Sequence, residues 1–212
     1  ATGSMKPHDH AAIFSRLREA ARREPMPSHA ERIARLDALA SLIRKNEQDL
    51  IDAISADFGH RAAYETRLLE WMPLLDEIAH IRRHLRGWMK PRRVGANWTF
   101  WPSSAALHPQ PLGVVGVIGA WNYPLELTLS PAANALAAGN RVLLKPSEHA
   151  PRTAALLQQL IADTFAPEVF SVVIGDADAS AAFASLPFDH LLFTGSTHVG
   201  RKVMQAAAAN LT

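Results

Sequence analysis

The segment Gly113-Val114-Val115-Gly116-Val117-Ile118-Gly119-Ala120-Trp121-Asn122-Tyr123-Pro124 decides how the chain is read. Its apolar stretch, Gly113 to Trp121, is nine residues long and then meets Asn122. A membrane-spanning helix needs ~20. A short, β-branched apolar run bounded by glycine is a strand buried on both faces, and the proline after it suits the start of a helix. Working outward, the pattern recurs. RVLLK precedes a helical stretch over Pro151–Phe165, VFSVVIG precedes Asp178–Leu186, and HLLFTG precedes Thr197–Asn210. The first unit continues into Pro124–Ala138. Four strand-then-helix units predict an α/β fold, with a parallel sheet of Val114–Ile118, Val142–Lys145, Val169–Ile174 and His190–Phe193 flanked by helices. A sheet ending on the Thr197–Asn210 helix is expected to leave one edge uncovered.

Upstream of this sheet the periodicity is helical. Ile13, Leu17, Ala20 and Ala21 share a face. Ile33, Leu36, Leu39, Ala40, Ile43, Leu50 and Ile54 continue the spacing after Ser28, a plausible N-cap. A long helix is expected from about Ala62 to Met89, turning Leu68, Leu69, Met72, Leu75, Ile78, Ile81 and Leu85 inward, with Lys90-Pro91 ending it. The N-terminal helices are expected to cover one side of the sheet. Asn97–Leu107, with its aromatics, serines and Pro102, suits a two-stranded ribbon. The organisation expected is thus an expression scar over 1–4, a helical part over 5–95, a ribbon over 96–110 and the strand–helix part over 111–212.

Composition narrows the function classes. Hydrophobic residues make up 48% and charged residues 20% of the 212, a globular balance, and the net charge of +2 does not suggest a nucleic-acid binder. No basic n-region precedes an apolar core, so a cytoplasmic protein is the default, with no membrane or nucleic-acid partner. Cysteine is absent, which removes disulfides, thiolate metal sites and any cysteine nucleophile from these residues.

In parallel sheets ligands bind at the carboxyl ends of the strands, so the residues just after each strand are the site candidates. Asn122 stands at the first such bend. Its side-chain amide is either a helix cap or a donor to a developing oxyanion. Lys145-Pro146-Ser147-Glu148 follows the second strand. A lysine and a glutamate three apart can both reach ribose hydroxyls, or can form a local ion pair in a solvated turn. Gly195-Ser196-Thr197-His198-Val199-Gly200 follows the fourth strand and opens a helix, whose free N–H groups favour phosphate. A Walker A loop needs Lys then Ser or Thr after its second glycine, and Arg201-Lys202 stand there instead. The G-x-G-x-x-G fingerprint is also missing. His80 and His84 share a helix face but lack an evident third ligand, so no metal is expected. The basic run Arg82–Arg93 reads as a solvated helix end.

Taken together, WNYP (Trp121–Pro124), KPSE (Lys145–Glu148) and FTGST (Phe193–Thr197), in this order and after these strands, resemble the aldehyde dehydrogenase superfamily. The resemblance extends over Met5–Thr212. Asp57-Phe58-Gly59-His60-Arg61 and the basic run are most similar to coniferyl aldehyde dehydrogenases, relatives of the class 3 enzymes for fatty and aromatic aldehydes.

The resemblance implies a Rossmann-like part that binds NAD, with NADP possible, without the usual glycine fingerprint. Asn122 matches the oxyanion donor. Lys145 and Glu148, with Ser147 between them, match the adenosine ribose site. Gly195, Ser196 and Thr197 match the pyrophosphate turn that Gly200 closes, and Gly175 a position near the adenine. Trp121 matches a residue on the nicotinamide side, and Tyr123 one near the substrate tunnel. The ribbon corresponds to part of an oligomerisation arm, so a homo-oligomer is implied. Family members form a thiohemiacetal on a cysteine, pass hydride to NAD and hydrolyse the thioester with glutamate-activated water. Neither that cysteine nor that glutamate has a match here. The chain is therefore expected to be the N-terminal cofactor-binding part, without its catalytic domain and inactive alone. A stand-alone nucleotide-binding module without redox chemistry is the alternative, and a P-loop-like phosphotransferase is disfavoured by Arg201-Lys202.

Overall fold

The computed structural model describes residues 7–212, with side chains from His10 onward; the segment 1–4, read above as a scar, lies outside the described residues. Helices α1 (Pro7–Arg23), α2 (His29–Lys45), α3 (Glu47–Phe58), α4 (Ala63–Thr66) and α5 (Met72–Trp88) come first, with a π-helical turn Arg67–Trp71 between α4 and α5. A ribbon of β1 (Arg92–Val94) and β2 (Ala105–Leu107) follows, and a 3-10 turn, Trp98–Phe100, lies between its strands. Then come β3 (Val114–Ile118), α6 (Glu126–Ala137), β4 (Arg141–Lys145), α7 (Pro151–Thr164), β5 (Phe170–Val172), α8 (Ala177–Ala184), β6 (His190–Phe193) and α9 (Thr197–Ala208). The four strands pair in the order β5-β4-β3-β6, all parallel, as the alternation predicts. No strand of the described residues covers the outer edge of β6. Among the described residues no helix is long and apolar enough to cross a membrane.

Successive side chains of a strand point to opposite faces, and this sorts the core into two layers. Val115, Val117, Val142, Leu144, Phe170 and Val172 pack with residues of α2, α3, α5, α6 and α7. Val114, Ile118, Leu143 and Val173 pack instead with Phe14 and Leu17 of α1, Phe183 of α8, and Phe188. The expectation that the N-terminal helices cover one side is therefore corrected. Helix α1 crosses to the face of α8, because Phe14 stacks edge-on with Phe188 at 5.2 Å and fills that layer. Gly116 points into the same layer, where a Cβ would sit 2.7 Å from Leu191 and 2.8 Å from Phe188.

Two further expectations need correction. Leu68, Leu69 and Met72 face outward, each more than two-fifths exposed, and Glu70 takes the buried position. The π turn adds a residue to the helical repeat, so the inward face runs through Thr66 and Glu70 before Leu74, Leu75, Ile78, Ile81 and Leu85. The ribbon also starts earlier than expected, since its first strand lies inside the basic run and pairs Arg92 with Leu107. Its aromatics Trp98, Phe100 and Trp101 stand in solvent.

Ser28 caps α2 in a reciprocal capping box with Glu31, as its position suggests. Helix α6 is different: it has no side-chain cap of its own. The Glu70 carboxylate accepts the Leu125 N–H at 2.7 Å and the Glu126 N–H at 3.4 Å. At the other end, the buried Arg32 guanidinium donates to the carbonyls of Ala138 (2.8 Å) and Ala137 (3.3 Å). An anion at the N-terminus and a cation at the C-terminus both match the helix dipole. Gly139 follows with φ +93°, and a Cβ there would lie 2.7 Å from Arg32 Cζ. Only glycine meets both conditions.

Candidate functional site

The carboxyl ends of β3, β4 and β6 open into a cleft of about 720 Å³, within the usual size range of small-molecule sites. Its wall includes Trp121 and Asn122 after β3, Ser147 and Glu148 after β4, and Gly195 and Ser196 after β6. All three motif turns thus face one space.

Each turn has its own local cause. Arg61 donates to the Asn122 backbone carbonyl at 2.8 Å and so holds the bend after β3 from outside. The helix-cap alternative for Asn122 does not hold, because α6 starts later, at Glu126, and Glu70 supplies the cap. No hydrogen bond among the described residues engages the Asn122 side-chain amide, which leaves it available to a ligand. Lys145 is fully buried, so it is no residue of a solvated turn. Its Nζ donates to Glu148 Oε2 at 3.1 Å and to the Pro146 carbonyl at 3.0 Å. Burial alone would raise the Glu148 carboxyl. Its own backbone N–H, the Lys145 charge and hydrogen bond, and nearby His149 hold it below the ordinary carboxylate value instead. Glu148 therefore meets the cleft as an anion, with Lys145 behind it.

Ser196 caps α9 by accepting the Val199 N–H at 3.3 Å. The Phe193 ring lies under this turn. A Cβ on Gly195 would be 2.5 Å from the ring, and one on Gly200 3.2 Å from it, so the glycines let the loop lie on the aromatic. Thr197 and Gly200 occupy the first turn of α9, beside the wall rather than on it. Gly175 follows β5 off the wall, and Tyr123 turns aside, with Arg61 over its ring at 4.7 Å.

The opposite wall escaped sequence reasoning. Ala177, Asp178, Ser180 and Ala181 of α8, and Lys202 and Val203 of α9, also line the cleft. Small residues on a short helix carry no motif. Their only signal was a position after a strand. Among the described residues no group of three potential metal ligands gathers. The rings of His80 and His84 lie 4.2 Å apart, tilted, and His84 stacks on Trp88.

The sequence pattern described as "Aldehyde dehydrogenase family" matches residues 4–212. A probable coniferyl aldehyde dehydrogenase of Pseudomonas aeruginosa is 50% identical over 95% of this chain and 42% of its own length. The coniferyl aldehyde dehydrogenase of a Pseudomonas species is 44% identical over 89% of this chain and 39% of its own. The substrate-bound structure of Staphylococcus aureus AldH matches with a TM-score of 0.91 at 30% identity, over 95% of this chain and 44% of that one. The chain spans about two fifths of the length of the curated relatives it matches. In sequence pattern and in fold alike, it belongs to the aldehyde dehydrogenase family.

Proposed function

We propose that these residues form the cofactor-binding part of an NAD(P)-dependent aldehyde dehydrogenase that oxidises an aromatic, coniferaldehyde-like aldehyde to its acid. The observation that carries this reading is the convergence of the WNYP, KPSE and GST turns on one cleft at the carboxyl ends of the strands. The residues present fit a dinucleotide. Glu148 offers an ionised acceptor for ribose hydroxyls, and the loop Gly195–Ser196 brings backbone and the free N–H groups at the start of α9 to a pyrophosphate. Lys145 holds Glu148 in place from below. When bound, the nicotinamide group accepts the hydride. Trp121 flanks its side of the cleft, and the Asn122 amide donates to the oxyanion that forms when the aldehyde is attacked. Thr197, Gly200 and Tyr123 belong to these turns without lining the cleft, and Gly175 follows β5 off the wall.

The same reading carries a cytoplasmic homo-oligomer, with the exposed aromatics of the ribbon as the contact surface. The second reading is a nucleotide-binding module without redox chemistry. Calorimetric titration of the chain with NAD and with NADP tests the site. Saturable NAD binding is expected, and none at millimolar NAD overturns it. Joining the chain to a cysteine-bearing catalytic part of a coniferyl aldehyde dehydrogenase separates the readings, since only the first expects NAD reduction by coniferaldehyde.

A further inference from the structure

The segment from Asp57 to Arg61, which ends α3 and runs into the loop before α4, reaches the chain that follows each of the two central strands. Asp57 accepts the Arg152 N–H at 3.0 Å, and the Thr153 N–H and hydroxyl at 2.8 Å each, fastening the start of α7 just after Lys145–Glu148. Phe58 lies against the Trp121 ring at 5.9 Å. The Arg61 guanidinium sits over the rings of Phe58 (4.6 Å) and Tyr123 (4.7 Å). It also donates to the Asn122 carbonyl at 2.8 Å, to Glu70 at 3.2 Å and to Glu65 at 3.0 Å. Its side chain is 6% exposed and that of Glu70 0%. Glu70 in turn holds the Leu125 N–H.

The five residues from Trp121 to Leu125 are thus gripped at Asn122 by Arg61 and at Leu125 by Glu70, and the two grips are one ion pair. Helix α7 is also held from a distance, by Asp57, whereas three other helices are capped locally. Ser28, Asp176 and Ser196 cap α2, α8 and α9 from within their own turns. The turn that carries Asn122 takes its restraint from a buried pair distant in sequence, Arg61 in the loop before α4 and Glu70 in the π turn. Such π turns are found often at functional sites. The planar fork of arginine can stack between two rings and donate in several directions at once, which lysine cannot.

We propose that Arg61 is a positioning residue: it fixes the backbone of Asn122, directly and through Glu70, so that the Asn122 amide is presented to the cleft in one orientation. The proposal rests on the cofactor-site reading above. Its chemistry is specific. Arg61 takes up the Asn122 carbonyl and leaves the amide free, so backbone geometry is set without using the donor.

Amide hydrogen exchange and NMR of the 212-residue chain test it, with Arg61→Lys and Arg61→Gln. In Arg61→Lys, exchange at Leu125 is expected to rise at least tenfold relative to Val117 and Leu143 in the sheet, and the Trp121–Tyr123 amide signals to shift. If Arg61→Gln does not fold, Arg61→Lys alone decides. Unchanged Leu125 exchange, or an equal rise at Val117 and Leu143, overturns the proposal, the latter by showing a general stabilising role. Full restoration of the parent signals by lysine overturns it as well. NAD titration of the parent is read separately: failure there removes the cofactor reading while the exchange result still reports on the turn.

Discussion

The Glu70 carboxylate and the Leu125 N–H meet at 2.7 Å across 55 positions of sequence, and that contact starts the helix behind the cleft. Burial pushes the Glu70 carboxyl up, while the Leu125 N–H and Arg61 favour its ionised form. Glu70→Gln keeps the shape but leaves the Arg61 charge without this buried partner. Destabilisation of about 1–3 kcal/mol is expected by urea unfolding. An unchanged midpoint would mean that Glu65 alone suffices for Arg61.

Glu126 adds a pH dependence. Burial first, then the neighbouring Glu77 and Glu70 charges, raise its carboxyl to about 7. A group with a raised pKa in the folded state binds more protons there than in the unfolded chain. Its contribution is present in full below about 4.5 and is lost as pH rises through about 7. Urea midpoints of the parent should therefore fall relative to Glu126→Gln between those values. Parallel profiles of the two proteins would refute this.

Gly116→Ala places a methyl against Leu191 and Phe188 in the layer shared by α1 and α8. Overpacking of this kind costs about 1–3 kcal/mol. Adding Phe188→Leu should recover part of it, and thermal unfolding of single and double variants measures the coupling. Strict additivity would show that the methyl is relieved by other movements.

Cofactor choice should follow Glu148. Its ionised carboxylate attracts ribose hydroxyls and repels a 2′-phosphate, and Lys145 is already engaged with it. NAD is expected to bind more tightly than NADP, and Glu148→Gln to narrow the gap. If calorimetry gives the same ratio for both proteins, discrimination lies elsewhere in the cleft.

Without a cysteine, the 212-residue chain should reduce no NAD with any aldehyde. In an enzyme carrying this part together with the catalytic cysteine and glutamate, Asn122→Ala should lower kcat by ~10²–10³, the usual loss for one oxyanion donor. Single-turnover kinetics checks it. An unchanged chemical step would remove Asn122 from the mechanism.

The sheet is legible because Val114–Ile118 is a continuous apolar run, because short β-rich runs alternate with helical stretches four times, and because Trp121–Pro124, Lys145–Glu148 and Gly195–Gly200 fall where such a sheet binds ligands. What stayed hidden depends on distance in space. Nothing local marks Glu70 as buried, since helical spacing assigns the inward face to Leu69 and Met72 until the π turn shifts it. Arg92–Val94 reads as charge, and its strand character comes only from pairing with Ala105–Leu107. The helix-cap reading of Asn122 fails only in three dimensions, where α6 starts at Glu126 and Glu70 occupies the cap.

The capping of α6 at both ends by Arg32 and Glu70 bears on how such chains can be recombined. A crossover at residue 110 between two relatives would exchange the helix while keeping foreign side chains at its termini. Chimeras joined there should express poorly unless both parents carry an arginine, a glutamate and the Gly139 equivalent in register. A crossover that moves residues 27–140 as a block keeps the three together. Gene shuffling within the family should accordingly recover few breakpoints between Glu70 and Gly139, even though the ribbon in that interval is exposed and looks like a natural seam.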